Sequence, residues 1–225
     1  MTLKNTQQFS LFARDKGISS MNLHYYGKQI EDNLTPYIIE ERPMNIAQMD
    51  VFSRLMMERI IWVAGEVNDN MSTIVQAQLM FLDSIDNNDI TIHIDSPGGS
   101  VKSGLSMVDV MEYINSDIRT INTGMAASMG SVLLGAGTKG KRGSLNFSRT
   151  MLHQSSGGFR GNIQDAKIDM IEWEKINNIL FDLLGRYCNK APEQVMKDAT
   201  RDLWLSSEEA LNYGIIDEIV KKKKI

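Results

Sequence analysis

The chain has 225 residues, 42% of them apolar and 23% charged, with a formal net charge of −4 at pH 7. A chain of this size buries a core that folds without metals or disulfides, and its acidic balance argues against the clustered basic face that a nucleic-acid binder needs. The single cysteine, Cys188, leaves no internal disulfide and no cysteine-based metal site, which suits a reducing, cytoplasmic setting.

Residues 1–35 show neither helical nor strand periodicity and no apolar run long enough for a signal peptide, so they read as a flexible arm or a removable propeptide. No later segment approaches a membrane span. "RIIWVAGEV" (59–67) is a short apolar run of the kind that forms a buried strand. "MSTIVQAQLMFLDSI" (71–85) places Met71, Ile74, Val75, Leu79, Leu82 and Ile85 on one helical face. "DITIHIDSP" alternates, with Ile90, Ile92 and Ile94 on one side and Thr91, His93 and Asp95 on the other. A helix follows in "SVKSGLSMVDVMEYINS". "DIRTINTGMAAS" predicts a third strand that runs into a helix from about Met129 to Gly137, and "RTMLHQ" a fourth strand. "NIQDAKIDMIEWEKINNILFDLLGRYCNK" predicts a long helix burying Ile176, Ile179, Leu180, Leu183, Leu184 and Tyr187, with Trp173 and the nearby methionines as core. "LSSEEALNYGIID" starts a helix at Ser206 or Ser207 and stops it at Gly214, before a last strand from Ile215 to Val220. Residues 221–225 read as a basic, solvated tail, with a docking or membrane-surface role as the alternative. Strands alternating with helices need crossover connections, so the fold class is α/β with a largely parallel sheet.

The stretch "GMAASMGSVLLGAG" (124–137) sets Ser128 among small and apolar neighbours where a strand gives way to a helix. Two readings fit. A serine there can cap the helix, or it can be a nucleophile on a sharp strand-to-helix turn, since Ala126-Ala127-Ser128-Met129-Gly130 is close to small-x-Ser-x-Gly. "DSPGGS" (95–100) ends another strand; its glycines permit either a plain tight turn or close backbone approach to a ligand, with the Gly99 N–H free to meet an oxyanion. Ligands of parallel sheets collect beyond such carboxyl ends of strands. For a base the chain offers three histidines. His24 lies in the arm and His93 inside a strand, whereas His153 ends "RTMLH" beside the glycine-rich "SSGGFRG". Asp165, Asp169, Asp198 and Asp202 all stay open as the carboxylate that would orient it. No spacing of histidines and carboxylates suggests a metal site, and "GTKGKR" lacks the pattern of a phosphate loop.

Five segments taken in order, "FSRLMMERIIWVAGEV", "IHIDSPGGSV", "TGMAASMGSVLLGAGTKGKR", "SRTMLHQSSGGFRG" and "RDLWLSSEEALNYGIIDEI", closely resemble the ClpP peptidase family, the proteolytic subunits of ATP-dependent Clp proteases. The resemblance covers residues 36–220. It implies a crotonase-like α/β fold of stacked βαβ units, with a protruding strand-helix handle at about 153–189. It also implies a serine endopeptidase with the triad Ser128, His153 and Asp202, and oxyanion donors at the N–H groups of Gly99 and Met129. Arg201 matches a ring-contact arginine, although Thr200 stands where an acidic residue is common. The implied assembly is a tetradecamer of two stacked heptameric rings that degrades unfolded polypeptides in a closed chamber. A Clp-family AAA+ ATPase would use the ATP, so no cofactor belongs to this chain. The family's ATPase-docking pocket maps onto Thr91, His93, Tyr113, Ile121, Thr123, Gly143, Leu145 and Val220, of which Thr91, His93, Thr123 and Gly143 are small or polar. A scaffolding ring subunit and an acyl-CoA hydratase or isomerase on the same fold class are the competing functions.

Overall fold

The computed structural model describes residues 37–42, 45–156 and 162–221. The expected arm, the segment 157–161 and the end of the basic tail therefore lie outside the described residues. Two units divide the chain, Met1–Arg54 and Leu55–Ile225. In the first, β1 (Tyr37–Arg42) and β2 (Asn45–Asp50) pair antiparallel, with Tyr37 opposite Asp50. The sequence reading did not anticipate this hairpin. α1 (Val51–Met57) begins where the Asp50 carboxylate accepts the N–H and hydroxyl of Ser53.

The second unit runs β3 (Ile60–Ala64), α2 (Asp69–Ile85), β4 (Ile90–Ser96), α3 (Val101–Tyr113), β5 (Ile118–Ala127), α4 (Met129–Gly135), β6 (Arg142–Ser144), β7 (Arg149–Leu152), α5 (Ile163–Cys188), α6 (Pro192–Asp198), β8 (Leu203–Leu205), α7 (Ser207–Tyr213) and β9 (Glu218–Ile219). β3-β4-β5-β6-β9 is a parallel path, as the crossovers require. β5 has two neighbours on one edge. Its first half, Thr120–Asn122, pairs with β6, and its end, Met125–Ala127, pairs with β7. β8 then adds antiparallel to β7. This split sheet brings the ends of β5, β7 and β8 to one place.

The alternation in β4 is realised, with Ile90, Ile92 and Ile94 buried against Val75, Leu79, Leu82, Met107 and Val108. Each such side chain contributes about 1.5–3 kcal/mol by leaving water. α2 departs from its expected face. Val75, Leu79 and Leu82 are buried, but Ile74 and Ile85 are exposed and Ser72 takes an inward position. The reason is geometric: at 100° per residue Ile74 and Ile85 lie roughly 100° round the helix from the buried stripe, whereas Ser72 falls on it, its hydroxyl donating to Ser103 O at 2.8 Å and meeting Ser106 Oγ at 2.9 Å, fastening α2 to α3. α5 buries Leu180, Phe181, Leu184 and Cys188, while Ile179 is exposed and Ile176, Leu183 and Tyr187 are only partly covered. Trp173 is not core; it is half-buried at a surface groove. The last strand is two residues long, because Ile215 and Ile216 turn into the core ahead of it. The strands β6 and β8 and the helix α6 were not anticipated. α7 carries the expected caps: Ser206 and Glu209 form a capping box, and Gly214 ends the helix at φ +93°.

Two arginines fasten the frame. Arg59 donates to the carbonyls of Leu82 (3.0 Å), Asp86 (3.2 Å), Asn88 (2.8 Å) and Asp89 (3.3 Å), closing the end of α2. Arg142, 1% exposed, meets Asp217 at 2.6 Å and 2.8 Å and also donates to the carbonyls of Tyr187 and Gly214. Burial alone would raise the Asp217 carboxyl. Arg142, by hydrogen bonds and charge, and the Gly140 N–H together hold it far below the usual carboxylate range. Among the described residues no helix is long and apolar enough to cross a membrane.

Candidate active site

β5 ends at Ala127 and α4 begins at Met129, so Ser128 carries the whole turn. It sits at φ +53° and ψ −122°, a conformation that side chains rarely adopt and that costs about 1–3 kcal/mol. Its hydroxyl makes no capping bond to the helix, which decides against the N-cap reading. The turn is held through its backbone instead. Ser128 N–H donates to Met151 O at 2.9 Å, and Ser131 donates to Ser128 O from its N–H (3.0 Å) and hydroxyl (2.7 Å). The Ser128 hydroxyl is thereby turned toward β7, where His153 follows the last strand residue. His153 Nε2 and Ser128 Oγ are 2.8 Å apart.

The other ring nitrogen, His153 Nδ1, lies 3.4 Å from Asp202 Oδ1. Strand register explains the neighbour. Leu152 of β7 is opposite Leu203 of β8, so the next residue on β7 faces the preceding residue of β8. The other three aspartates do not pair with His153: Asp198 accepts from Tyr213 and Gln194, Asp165 accepts from Asn162, and Asp169 lines the groove that leads away from Gly99. The structure therefore brings together Ser128, His153 and Asp202. Arg201 is exposed beside them and has no partner among the described residues of this chain.

The "DSPGG" turn packs directly on the serine. A Cβ placed on Gly98 would stand 2.6 Å from Ser128 Cβ, 2.7 Å from Ala127 O and 2.9 Å from Met129 N. Only glycine allows that approach. Among the described residues neither the Gly99 N–H nor the Met129 N–H has an acceptor. Two free donors thus flank the serine, the second at the start of α4. Beyond them a groove of about 370 Å³ runs between Gly99, Ser100 and Val101 on one side and Glu172, Trp173 and Ile176 of α5 on the other.

Sequence reasoning missed how the segment after His153 is anchored. Trp173 Nε1 donates to Ser155 Oγ at 2.6 Å, and that hydroxyl donates to Asn177 Oδ1 at 2.9 Å. The available signal was Trp173 and Asn177 one turn apart on a single helical face.

Away from the site, Thr91, His93, Ile121 and Thr123 occupy the sheet face opposite the helix-packed isoleucines. Strand register aligns Trp62, His93, Ile121, Gly143 and Glu218 in one row. His93 stacks on Trp62 with ring centroids 4.9 Å apart; burial, then the Arg119 charge, lowers its pKa.

The fold is of the α/β class, and it sets a hydrogen-bonded serine and histidine at the carboxyl ends of its strands, an arrangement that fits acyl-transfer chemistry. The Clp protease family profile matches residues 43–223. The chain is 47% identical to the ATP-dependent Clp protease proteolytic subunit of Porphyromonas gingivalis over 219 residues, 96% of this chain and 99% of that one. It is 47% identical to the protein of the same name from Bacteroides fragilis, covering 92% of this chain and 94% of the relative. For Bacteroides thetaiotaomicron the identity is 46% over the same shares. The chain belongs to the Clp protease family and is a serine protease.

Proposed function

We propose that the chain is the proteolytic subunit of an ATP-dependent Clp protease, with Ser128 as nucleophile, His153 as general base and Asp202 as the carboxylate that orients the imidazole. The observation that carries this reading is the 2.8 Å hydrogen bond from a strained, non-capping Ser128 to His153. Ser128 Oγ attacks the scissile carbonyl carbon as its proton passes to His153 Nε2, and the carbonyl electron pair moves onto oxygen. The N–H groups of Gly99 and Met129 stabilise that oxyanion. His153 then gives its proton to the leaving amide nitrogen as the C–N bond breaks. Water, deprotonated by His153, frees the acyl group and returns the hydroxyl to Ser128. Asp202 offsets the imidazolium charge at each stage.

The chain works in the cytoplasm as two stacked seven-membered rings around a chamber that admits unfolded polypeptide. Self-association is supported by apolar side chains left exposed on one chain: Ile163, Ile168, Met170 and Ile171 on α5, and Ile74, Phe81 and Ile85 on α2. An AAA+ ATPase delivers the substrate and consumes the ATP, so the chain itself needs no cofactor. The sheet face bearing Thr91, His93, Ile121 and Thr123 is the docking surface, more polar than an aromatic pocket and correspondingly weaker for an apolar loop.

The test is a fluorophosphonate probe on the full chain, read by mass spectrometry and light scattering. The reading expects phosphonylation at Ser128, its loss in His153→Ala, and particles of several hundred kilodaltons. Equal labelling in His153→Ala contradicts the assigned base, and a monomeric particle contradicts the rings.

A further inference from the structure

Ser96 ends β4 with no exposed surface. A hydroxyl so placed is costly unless its proton and a lone pair are both used. Both are. Ser96 Oγ donates to Gly65 O at 2.6 Å and accepts the Gly98 N–H at 3.1 Å. The hydroxyl thus ties the end of β3 to the first glycine of the "DSPGG" turn. Gly65 N–H completes the latch by donating to Asp95 O at 2.9 Å.

The rest of the turn is held from the same side. Val67 N–H donates to Gly98 O and Ser100 N–H donates to Val67 O, each at 2.8 Å. No peptide bond here is cis, and in a trans peptide the N–H points opposite to the C=O. With the Gly98 carbonyl aimed at Val67, the Gly99 N–H points away from Val67, toward the flank where Gly98 lies against Ser128 and Met129. Gly98 N–H, Gly98 C=O and Ser100 N–H are therefore all committed, and the Gly99 N–H alone is left to donate. Gly98 and Gly99 sit at φ +93° and +146°, where glycine peptides rotate freely unless something pins them.

We propose that Ser96 is the positioning residue of the oxyanion site: its hydroxyl pins the Gly98 amide, so that the Gly99 N–H stays aimed at the oxygen that becomes negative beside Ser128. The proposal rests on Ser128 being the nucleophile. Ser96 touches neither substrate nor reacting atoms, and its removal loosens one donor that matters only once the oxyanion forms.

The test compares the full parent chain with Ser96→Ala, Ser96→Cys, Ser128→Ala and the control Ser144→Ala. Ser144 is just as buried and bonds Ser207 and Leu145 O, with no hydrogen bond to the turn among the described residues. The readouts are kcat and KM on a short fluorogenic peptide, affinity for a peptide boronate that becomes tetrahedral on Ser128 Oγ, and the thermal midpoint. Losing one oxyanion donor outright costs about 10²- to 10³-fold, so a misaimed one in Ser96→Ala lowers kcat about 10- to 100-fold. KM stays within twofold and boronate affinity falls in step with kcat. Ser96→Cys, which keeps a weak donor and acceptor, falls between. Ser144→Ala lowers the midpoint and leaves kcat within twofold. The proposal is overturned if Ser96→Ala keeps kcat within twofold, or loses kcat while boronate affinity is unchanged; if Ser96→Ala does not fold, Ser96→Cys is judged by the same criteria. Failure of the underlying reading is visible separately, as boronate binding to Ser128→Ala as tightly as to the parent.

Discussion

His153 Nδ1 and Asp202 Oδ1 stand 3.4 Å apart across the β7–β8 ladder, at the position set by Leu152 facing Leu203. The carboxylate side is open: the Asp202 side chain is 59% exposed, against 25% for His153. Water therefore screens the pair, so the role proposed for Asp202 is mainly to orient the imidazole with Nε2 toward Ser128, and only secondarily to offset its charge. Asp202→Asn is expected to lower kcat about 10²- to 10⁴-fold with little change in KM. Steady-state kinetics on a short peptide check this, and a comparable loss in Asp165→Asn or Asp169→Asn instead would reassign the carboxylate.

Gly98 gives a second, steric prediction. A methyl group there meets Ser128 Cβ and Ala127 O well inside contact distance, and φ +93° disfavours any side chain. Gly98→Ala should cost at least about 10²-fold in kcat/KM, because the serine turn and a donor must both move. The check is peptide hydrolysis alongside far-ultraviolet circular dichroism, with an unchanged spectrum expected.

The Arg142–Asp217 pair makes stability depend on acid. A carboxylate held below its unfolded value contributes stability that is complete above about pH 4 and is lost as pH falls from there toward the folded value. Urea unfolding between about pH 7 and pH 3 should show that fall in the parent and a shallower one in Asp217→Asn. At neutral pH the variant should lose about 3–5 kcal/mol, because Arg142 stays buried without its counter-charge. Equal slopes would contradict the assignment.

Arg59 closes the carbonyl end of α2 with one planar group, its side chain 13% exposed. Arg59→Ala should cost about 1–3 kcal/mol, chiefly through the part-buried Leu82 carbonyl, since water can reach the others, and Arg59→Lys should recover less than half, since an ammonium cannot span the same set. Thermal or urea midpoints measure both.

Much of this frame was written in local pattern. Ile90, Ile92 and Ile94 at period two, and the Ser206–Glu209 box with Gly214, are signals that tertiary contacts reinforce. β6 and β8, three residues each, are too short to show a period and exist because β5 and β7 offer edges. Ile74 and Ile85 stay exposed because, at 100° per residue, they lie roughly 100° round the helix from the Val75–Leu79–Leu82 stripe, on which Ser72 falls instead. At the site, cap and nucleophile share the same small-residue context, and only the positive φ and the direction of the hydroxyl separate them. Asp202 followed from family resemblance; its physical reason, the register of two short strands, has no sequence signature. Ser96 left one trace, a serine continuing the buried alternation of β4.

The central claim is that Ser128 performs the hydrolysis. The most direct measurement is turnover of a short fluorogenic peptide by size-fractionated parent and Ser128→Ala proteins of equal elution volume. The account predicts that the variant falls at least about 10³-fold, to the assay background. Equal rates in the two proteins would contradict it.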